Sequence, residues 1–502
     1  MPLSVPSGET VIVGAGPSGL TAAYELCKAR AAVTVLEADP EKVGGLSRTV
    51  EYKGFRFDIG GHRFFSKNSL VEEIWTDILG ERMLERDRLS RIYYRGVLFK
   101  YPLEVLDVLR KLGPLESAAC VLSYVRSHFS SAKDVRTFED WVTRAFGRRL
   151  YEIFFKTYTE KVWGIPCSSI SADWAAQRIR GLSIPALFKA AIRWPGSKDA
   201  PIIKTLIDRF RYPARGPGEM WETMASRITA MGAKIKMGER ATVIERDNRR
   251  VIRIVTEDPQ GNRYSYSGDH FISTMPIRAL IEAFQPAVPH EILQAARGLS
   301  YRDFITVALV LNRPELFPDQ WIYIHDPQVK VGRIQNFKNW SPAMVSDSRY
   351  SVLGLEYFCF DSDQMWRAPD AELIAMAKRE LALTGLADES SVVDAAVVRE
   401  VAAYPIYDHD YRGHVASIRR FLELEAPNLQ LAGRNGMHKY NNQDHAMMTG
   451  IMAARNLMGA NYDQWRVNAD ALYLEDDNEP GDGSRLIPMS VAADEIPPPG
   501  DS

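Results

Sequence analysis

The first forty residues alternate between short apolar runs and a segment with helical periodicity. Apolar runs occupy residues 10–13 and 33–36, and each predicts a buried strand. Between them, residues 20–30 carry small and apolar side chains at helical spacing. The order strand, turn, helix, strand predicts a βαβ unit and therefore an α/β fold.

The rest of the chain divides into a helical middle, a strand-rich later part and a polar tail. Residues 105–205 show helical periodicity, with a capping-box start in which Asp140 follows Thr137. Beyond residue 205 apolar and polar positions alternate, which predicts antiparallel sheet. The predicted strands occupy residues 241–244, 252–256, 270–273, 306–310 and 351–360. Helices are expected near residues 276–284 and 371–383.

Composition sets broad limits on the class of protein. The chain has 502 residues, of which 46% are hydrophobic and 25% are charged, as in a globular protein of two to four domains. Lys and Arg number 62 against 64 Asp and Glu, a balance that argues against a nucleic-acid partner. The four cysteines form no CxxC pair, so neither a disulfide framework nor a metal site is expected. Without a secretory leader or a membrane-length apolar run, we expect a soluble, cytoplasmic protein.

The charge is distributed unevenly along the chain. Residues 133–219 contain 16 Lys and Arg against nine Asp and Glu. The tail after residue 474 contains eight acids and one base, and with so little to bury we expect it to be disordered. The positive excess outside the tail favours a small anionic ligand.

A glycine-rich turn separates the first predicted strand from the helix. In Gly14-Ala15-Gly16-Pro17-Ser18-Gly19, the first glycine allows a tight turn and Gly16 allows a pyrophosphate to approach the backbone. Gly19 lets the helix pack closely on the strand, and the helix N-terminus offers N–H groups to phosphates. Glu37, at the end of the second strand, could accept hydrogen bonds from ribose hydroxyls. The turn predicts a dinucleotide site for either FAD or NAD.

A second polar cluster precedes a predicted helix near the end of the ordered chain. The cluster comprises Gly433, Arg434, Asn442, Gln443 and Asp444, and residues 446–454 form the small, apolar run that follows. Its amide and carboxyl groups could bind a polar ligand at the helix N-terminus. They could equally serve only to cap the helix.

Taken together, these segments resemble the UDP-galactopyranose mutase family of flavoenzymes. The shared motifs are residues 14–19, Asp58-Ile59-Gly60-Gly61-His62, Lys161-Val162-Trp163, Trp174 with Arg178, and Asn442-Gln443-Asp444-His445. They occur in the family's order over about residues 10–460. The glycine turn is shared with amine oxidases and protoporphyrinogen oxidases, whereas the Lys-Val-Trp, Arg178 and Asn-Gln-Asp-His elements are more selective.

The resemblance implies an α/β fold with a Rossmann-like FAD-binding domain, an inserted helical domain and an antiparallel β-sheet domain. The FAD-binding domain would be discontinuous, over residues 8–84, 214–284 and 428–472. The helical domain would cover residues 105–213, and the sheet domain, which binds substrate, residues 85–104 and 285–427. Residues 475–502 would form the acidic tail.

The resemblance also implies a reaction, the interconversion of the pyranose and furanose forms of a nucleotide sugar without net redox change. In that family FAD works in its reduced form, FADH2, and its N5 attacks the anomeric carbon while the nucleoside diphosphate leaves. NADPH or NADH is one candidate reductant, the sequence does not identify the electron donor, and UDP-galactopyranose or a related sugar nucleotide is the default substrate. No metal, nucleic-acid partner or membrane span is expected, and a homo-oligomer is an alternative to a single chain.

The family's functional positions fall on named residues of this chain. His62 would lie beside the flavin, and Arg178 and Arg333 would grip the diphosphate as catalytic residues. The implied substrate-binding residues are Phe65, Arg88, Tyr101, Trp163, Tyr323, Tyr404 (with Tyr407 as a competing choice) and Tyr440. The implied cofactor-binding residues are Gly14, Gly16, Pro17, Ser18, Gly19, Glu37, Gly45, Leu46, Gly60, Gly61, His62, Val243, Gly433, Arg434, Asn442, Gln443 and Asp444.

Three positions depart from the family's pattern in the base and sugar pockets. Leu103 and Glu104 stand where the family has an aromatic residue and an amide that serve uracil. A carboxylate accepts but does not donate hydrogen bonds, so Glu104 would suit cytosine or guanine better than uracil. Thr159 stands where the family has an asparagine.

Two other functions are compatible with the same residues. The chain could be an FAD-dependent oxidoreductase of the amine oxidase or desaturase type, in which Arg178 and Arg333 bind another anionic substrate. It could also be a noncatalytic binding protein on the same scaffold, although the intact turn at residues 14–19 argues against this.

Overall fold

The structure is a computed structural model that describes residues 4–129, 135–172 and 209–467. Arg178, Trp174 and the predicted acidic tail at residues 475–502 lie outside the described residues.

The described chain contains both strands and helices throughout, with consecutive helices over residues 105–163 and consecutive strands over residues 234–273. The elements up to residue 172 are β1 (Glu9–Val13), α1 (Pro17–Lys28), β2 (Ala32–Leu36), β3 (Thr49–Tyr52), β4 (Phe55–Asp58), α2 (Ser69–Leu79), β5 (Met83–Asp87), β6 (Ser90–Tyr94), β7 (Val97–Lys100), α3 (Val105–Leu112), α4 (Pro114–Phe129), α5 (Phe138–Phe146), α6 (Arg148–Tyr151) and α7 (Thr157–Trp163). Those of residues 209–300 are β8 (Arg209–Pro213), α8 (Gly218–Ala230), β9 (Lys234–Lys236), β10 (Arg240–Asp247), β11 (Arg250–Glu257), β12 (Arg263–Ser267), β13 (His270–Ser273), α9 (Ile277–Glu282), β14 (Phe284–Gln285) and α10 (His290–Gly298). The remaining ones are β15 (Tyr301–Leu311), β16 (Trp321–Ile324), β17 (Arg333–Asn336), α11 (Phe337–Trp340), β18 (Ser351–Cys359), α12 (Gln364–Arg367), α13 (Asp370–Leu383), β19 (Val392–Pro405), α14 (Tyr411–Glu425), β20 (Leu429–Leu431), α15 (Gly433–Gly436) and α16 (Gln443–Leu457).

A parallel sheet forms the centre of the first part of the fold. Among the described residues its strand order is β20–β13–β1–β2–β9, and each neighbouring pair is parallel. Ile12 of β1 packs in one core with α1, α2, α8 and α16, whereas Val11 and Val13 pack in a second core with α9, α10 and α14. Because both faces are covered, β1 is a continuous apolar run. The carboxyl ends of the strands meet at one edge, where Gly14 and Glu37 follow β1 and β2.

Two further sheets carry most of the later strands. A sheet in the order β12–β11–β10–β14 lies between residues 240 and 285. A seven-stranded sheet in the order β19–β15–β18–β17–β16–β6–β7 is antiparallel except where β16 pairs with β6. Helices α5 and α7 share a core with β15, β18 and β19, which attaches the helical segment to this sheet.

The predicted α/β class with a Rossmann-like unit, a helical insertion and an antiparallel sheet is confirmed. The prediction of antiparallel sheet is wrong for residues 270–273: they form β13, which pairs in parallel with β1 and β20. Its residues 271–273 are all buried, as expected for a strand covered on both faces. The domain boundaries stay a prediction.

A helix that crosses a lipid bilayer needs about 20 predominantly apolar residues. No helix within residues 4–129, 135–172 and 209–467 is both long enough and apolar enough to do so.

Candidate active site

A cavity of about 2060 Å³ extends from the carboxyl edge of the parallel sheet to the seven-stranded sheet. Pockets for a single small ligand commonly measure about 300–1,000 Å³. The cavity therefore has room for a dinucleotide together with a second ligand. Its lining comes from the turn after β1, from α7 and from strands β16 and β17.

The glycine turn forms one end of the cavity. Gly14 has φ of 97°, and its N–H donates to the Leu36 carbonyl at 2.7 Å. A Cβ on Gly19 would lie 1.9 Å from the Gly14 carbonyl oxygen, so the approach of α1 to the turn requires glycine there. Pro17 and Ser18 place the N-terminus of α1 on the cavity wall, with N–H groups suited to phosphate.

Glu37 lies beside this turn with its carboxylate fixed by the backbone. It accepts hydrogen bonds from the N–H of Ala15 at 2.6 Å and of Asp39 at 2.9 Å. Burial raises the pKa of the Glu37 carboxyl, and the two N–H groups oppose that rise. Arg48 pairs with Asp39 at 3.5 Å and with Glu400 of β19, which joins this edge to the seven-stranded sheet.

Two glycine backbones face each other beside the same turn. A Cβ on Gly45, whose φ is 52°, would lie 3.4 Å from the Cα of Gly16. The slot between them is thus free of side chains, and Leu46 continues the wall. The slot, the helix N-terminus and the Glu37 carboxylate together fit the pyrophosphate and ribose of FAD.

His62 and Gly61 form another part of the cavity wall, and Gly60 precedes them. Gly60 has φ of 91°, and a Cβ there would lie 3.8 Å from Nη2 of Arg333. A Cβ on Gly61 would lie 2.7 Å from Nε2 of Gln335. Burial, with the nearby charges of Arg434 and Arg333, lowers the pKa of His62 to about 3. The imidazole is therefore neutral at physiological pH.

Arg333, whose Nη2 lies near Gly60, is held in place by a buried carboxylate. Its Nε donates to Glu356 at 2.5 Å, and Nε2 of Gln335 donates to the other carboxylate oxygen at 2.9 Å. Tyr323 lies opposite Arg333 in the β16–β17 pair. The rings of Tyr158 and Tyr323 are edge-on, with centroids 5.4 Å apart. The sequence interpretation missed Glu356, Gln335 and Tyr158; the lone acid in the apolar run at residues 351–359 could have indicated Glu356.

Four aromatic rings form one side of the cavity and are named here the aromatic wall: Trp163, Tyr404, Tyr407 and Tyr440. Tyr404 and Tyr440 are stacked with centroids 5.6 Å apart, and Trp163 lies 6.2 Å from Tyr440. The guanidinium of Arg434 lies 4.7 Å from the Tyr440 ring centroid. The Tyr440 N–H donates to the Tyr407 hydroxyl at 2.5 Å, so both candidate tyrosines belong to the wall.

Arg88 and Tyr101 lie at the far end, next to Tyr323. The Arg88 guanidinium lies 5.2 Å from the Tyr101 ring, and the Tyr101 and Tyr323 centroids are 4.9 Å apart. Leu103 and Phe65 line the cavity too. Glu104 does not: its side chain is 58% exposed and pairs with Lys100 at 2.9 Å. The structure therefore does not place Glu104 where it could contact a base.

The structure brings most predicted site residues together around this cavity. All those within the described chain line it except Gly19, Gly60 and Val243. Gly19 lies behind the turn, where it allows close packing, whereas Gly60 has a positive φ that favours glycine. The side chain of Val243 is 7% exposed within β10, and its neighbours Ala241 and Thr242 line the cavity, so the cofactor contact at Val243 stays a prediction. Arg178 lies outside the described residues.

A glycine turn and a carboxylate at the edge of a parallel sheet define a dinucleotide-binding protein. Residues 17–458 match the family described as flavin containing amine oxidoreductase, and the chain belongs to that family. It is therefore a flavin-dependent enzyme. Its fold is similar to that of reduced UDP-galactopyranose mutase, with a TM-score of 0.79 and 22% identity over 93% of this chain and 99% of that one.

Two curated relatives are similar to parts of the sequence. A phytoene dehydrogenase of Streptomyces griseus is 27% identical over 278 residues, 50% of this chain and 52% of the relative. A protein of Klebsiella pneumoniae named as a probable UDP-galactopyranose mutase is 29% identical over 172 residues, 32% of this chain and 43% of the relative. In these matches the chain spans about half the length of the relatives.

Proposed function

We propose that the protein is a nucleotide-sugar mutase that interconverts pyranose and furanose forms, with UDP-galactopyranose as the default substrate. One observation carries the proposal. Nη2 of Arg333 lies 3.8 Å from the position a Cβ would take on Gly60, in the glycine turn that precedes His62. A cation suited to a diphosphate is thus next to the segment expected to contact the flavin ring. A leaving diphosphate beside the flavin is what a mutase reaction needs.

The cofactor in this proposal is FAD. The N-terminus of α1 and the Gly16–Gly45 slot would hold its pyrophosphate, and Glu37 would hold its ribose. The second polar cluster, with Arg434 and Gln443, would complete the flavin end. When bound in its reduced form, FAD supplies the nucleophile for the anomeric carbon. NADPH or NADH would be the source of its electrons.

The chain's own residues would bind the substrate and stabilise the charge that forms on it. Arg333 would bind the diphosphate and stabilise its negative charge as the sugar is transferred. The hydroxyls of Tyr323, Tyr404 and Tyr440 line the same region and can donate to phosphate oxygens. The rings of Trp163 and Phe65 would exclude water from the sugar.

The neutral state of His62 matters for the same reaction. An imidazolium there would add a positive charge beside the flavin and compete with Arg333 for the diphosphate. Because its pKa is lowered to about 3, the neutral imidazole of His62 can donate one hydrogen bond and accept another without carrying a charge. We assign it the role of orienting the flavin ring.

The test is to reduce the purified flavoprotein with dithionite and to add UDP-galactopyranose under nitrogen. We expect chromatography to show UDP-galactofuranose with the reduced enzyme and none with the oxidised enzyme. GDP and CDP sugars are added in parallel, because Leu103 and Tyr101, which line the cavity, would set the base pocket in this proposal. Failure of every nucleotide sugar to bind or react would exclude the mutase.

A net oxidoreductase is the second candidate, and a specific observation favours it. The family is that of amine oxidoreductases, and the phytoene dehydrogenase of Streptomyces griseus is similar over 278 residues. The aromatic wall would suit an organic substrate that loses electrons to the flavin. Anaerobic bleaching of the oxidised flavin by such a substrate, without sugar conversion, would identify this function.

A further inference from the structure

The lysine of the Lys-Val-Trp motif does not line the cavity, unlike the valine and tryptophan that follow it. Its ammonium donates instead to three backbone carbonyls, those of Ile324 at 3.1 Å, Asp326 at 2.7 Å and Val331 at 3.1 Å. All three belong to the end of β16 and the turn that leads to β17. Lys161 therefore joins α7 to the turn between these two strands.

A second cation, Arg302, is buried and also holds α7 in place. Arg302 of β15 donates to the carbonyls of Lys161 at 3.4 Å and Val162 at 3.3 Å, which lie in the last turn of the helix. It also donates to the Phe358 carbonyl of β18 at 2.8 Å. A Cβ on Gly164 would lie 2.4 Å from the Arg302 guanidinium carbon, so the helix must end in glycine here. These bonds satisfy carbonyls that a helix C-terminus leaves without intrahelical partners.

The two segments that Lys161 joins both contribute side chains to the cavity lining. Helix α7 places Tyr158 and Trp163 on the cavity, whereas the turn connects the strands that carry Tyr323 and Arg333. The Tyr158 ring fills the space between them, edge-on to Tyr323 and stacked on His325 at 4.9 Å. A change in the position of the turn would therefore change the spacing between the aromatic wall and Arg333.

We propose that Lys161 is a positioning residue that sets this spacing by holding the β16–β17 turn against α7. The inference rests on the proposed function only for its effect on substrate. Burial lowers the pKa of Lys161 to about 8, while Glu380 and Asp326 oppose that change. The ammonium is thus charged at neutral pH, and a charged group makes the stronger hydrogen bonds to the three carbonyls.

The chain offers a matched control for the test. Lys338 also donates to three backbone carbonyls, those of Pro314 at 2.5 Å, Ser348 at 2.6 Å and Tyr350 at 3.1 Å. It does not line the cavity, and its carbonyl partners do not either. Lys161→Met and Lys338→Met therefore remove the same chemistry from two places, and both should lower the melting temperature.

Only Lys161→Met is expected to change the site. In the FAD-loaded protein we expect its Kd for UDP to rise about ten-fold, since small displacements of binding groups have effects of this size or larger. Lys161→Arg, which keeps the charge but not a compact ammonium, should give a smaller rise of about three-fold. Equal Kd values for wild type, Lys161→Met and Lys338→Met would overturn the proposal. If Lys161→Met does not fold, Lys161→Arg against Lys338→Met decides in the same way.

Hydrogen exchange separates this inference from the proposed function. If wild type binds no UDP and converts no nucleotide sugar, the mutase proposal fails. The role of Lys161 is then judged from the amides of residues 325–332 in the FAD-loaded protein. Exchange there at least ten-fold faster in Lys161→Met than in Lys338→Met supports it, and equal exchange overturns it.

Discussion

Nε of Arg333 donates to Oε2 of Glu356 at 2.5 Å, and Glu356 is 0% exposed in the middle of β18. The two residues are direct neighbours in the register of β17 and β18. Burial raises the pKa of Glu356, and the positive charge of Arg333 opposes that rise. Its carboxylate also accepts from Gln335, so both of its oxygens are used. Glu356 thus orients Arg333, whose Nη2 lies near Gly60.

Glu356→Gln is expected to weaken both the fold and the binding of a diphosphate. Its amide nitrogen would face one of two donors, Arg333 or Gln335, and no longer accept from it. Losing one partner of a buried pair should lower the free energy of unfolding by about 2–4 kcal/mol. The Kd for UDP should rise about ten-fold or more, as measured by calorimetry on the FAD-loaded protein.

Glu104→Gln is the control for this change, because Glu104 is exposed and pairs with Lys100 at the surface. We expect it to leave stability within about 0.5 kcal/mol and UDP affinity unchanged. If Glu356→Gln binds UDP as tightly as wild type does, Arg333 either does not need this orientation or does not bind the diphosphate.

Gly19→Ala tests the close packing of α1 on the glycine turn. The added Cβ would lie 1.9 Å from a backbone oxygen, that of Gly14, which has no side-chain rotation to relieve the overlap. We expect the free energy of unfolding to fall by about 2 kcal/mol or more and FAD to be lost on dialysis. Denaturant titration and the absorbance of bound flavin measure the two effects.

Gly413→Ala is the matched control, since Gly413 is the third residue of α14 as Gly19 is the third residue of α1. A Cβ on Gly413 would meet nothing within 4 Å. We therefore expect this variant to gain up to about 1 kcal/mol from helix propensity and to keep its flavin. Equal behaviour of the two variants would contradict the packing argument.

Asp58 should make the stability of the protein depend on pH. It is fully buried and accepts from Tyr212 at 2.5 Å and from Thr49 at 2.8 Å. Burial raises its pKa to about 7, while the two hydroxyls oppose the rise. Between about pH 4 and pH 7 the folded state thus binds the proton that the unfolded chain has released. The free energy of unfolding should fall as pH rises through that range and level off above it.

Asp58→Asn removes this titration and should flatten the pH dependence. The fall in wild type is expected to reach at most about 4 kcal/mol relative to the variant, at about 1.4 kcal/mol for each unit of pKa shift. Urea titrations of both proteins from about pH 4.5 to pH 8 give the difference directly, since the other ionisable groups are common to them. Parallel curves would show that Asp58 ionises at its ordinary pKa.

Local sequence was enough to predict the dinucleotide end of the site. This end is formed by features that are close together in the chain: the turn at residues 14–19, its two strands and Glu37. The glycines of the turn are required for steric reasons, so they form a motif that can be identified in the sequence. The capping box was predictable for the same reason: the Thr137 and Asp140 side chains each accept from the other residue's N–H at 3.1 Å.

The contacts that the sequence did not predict are those between segments far apart in the chain. Glu356 and Arg333 meet because β17 and β18 pair, and Lys161 reaches residues more than 160 positions away. The pattern of apolar and polar residues within a strand does not show which distant segment it pairs with. A motif position also does not show which way a strand side chain faces: that of Val243 is buried, whereas its neighbours Ala241 and Thr242 line the cavity.

Tyr404 and Tyr407 have different hydrogen-bond roles, so their phenylalanine variants should separate the two candidates for the diphosphate contact. Burial raises the pKa of Tyr404 to about 12, which keeps its hydroxyl protonated and able to donate. The Tyr407 hydroxyl instead accepts from the Tyr440 N–H.

Tyr404→Phe should raise the Kd for UDP about ten-fold with little change in stability. Tyr407→Phe should lower the free energy of unfolding by about 1 kcal/mol, because a backbone donor loses its acceptor, and should change the Kd less. Calorimetry and urea titration of both variants decide the assignment: a larger loss of UDP affinity in Tyr407→Phe would assign the contact to Tyr407.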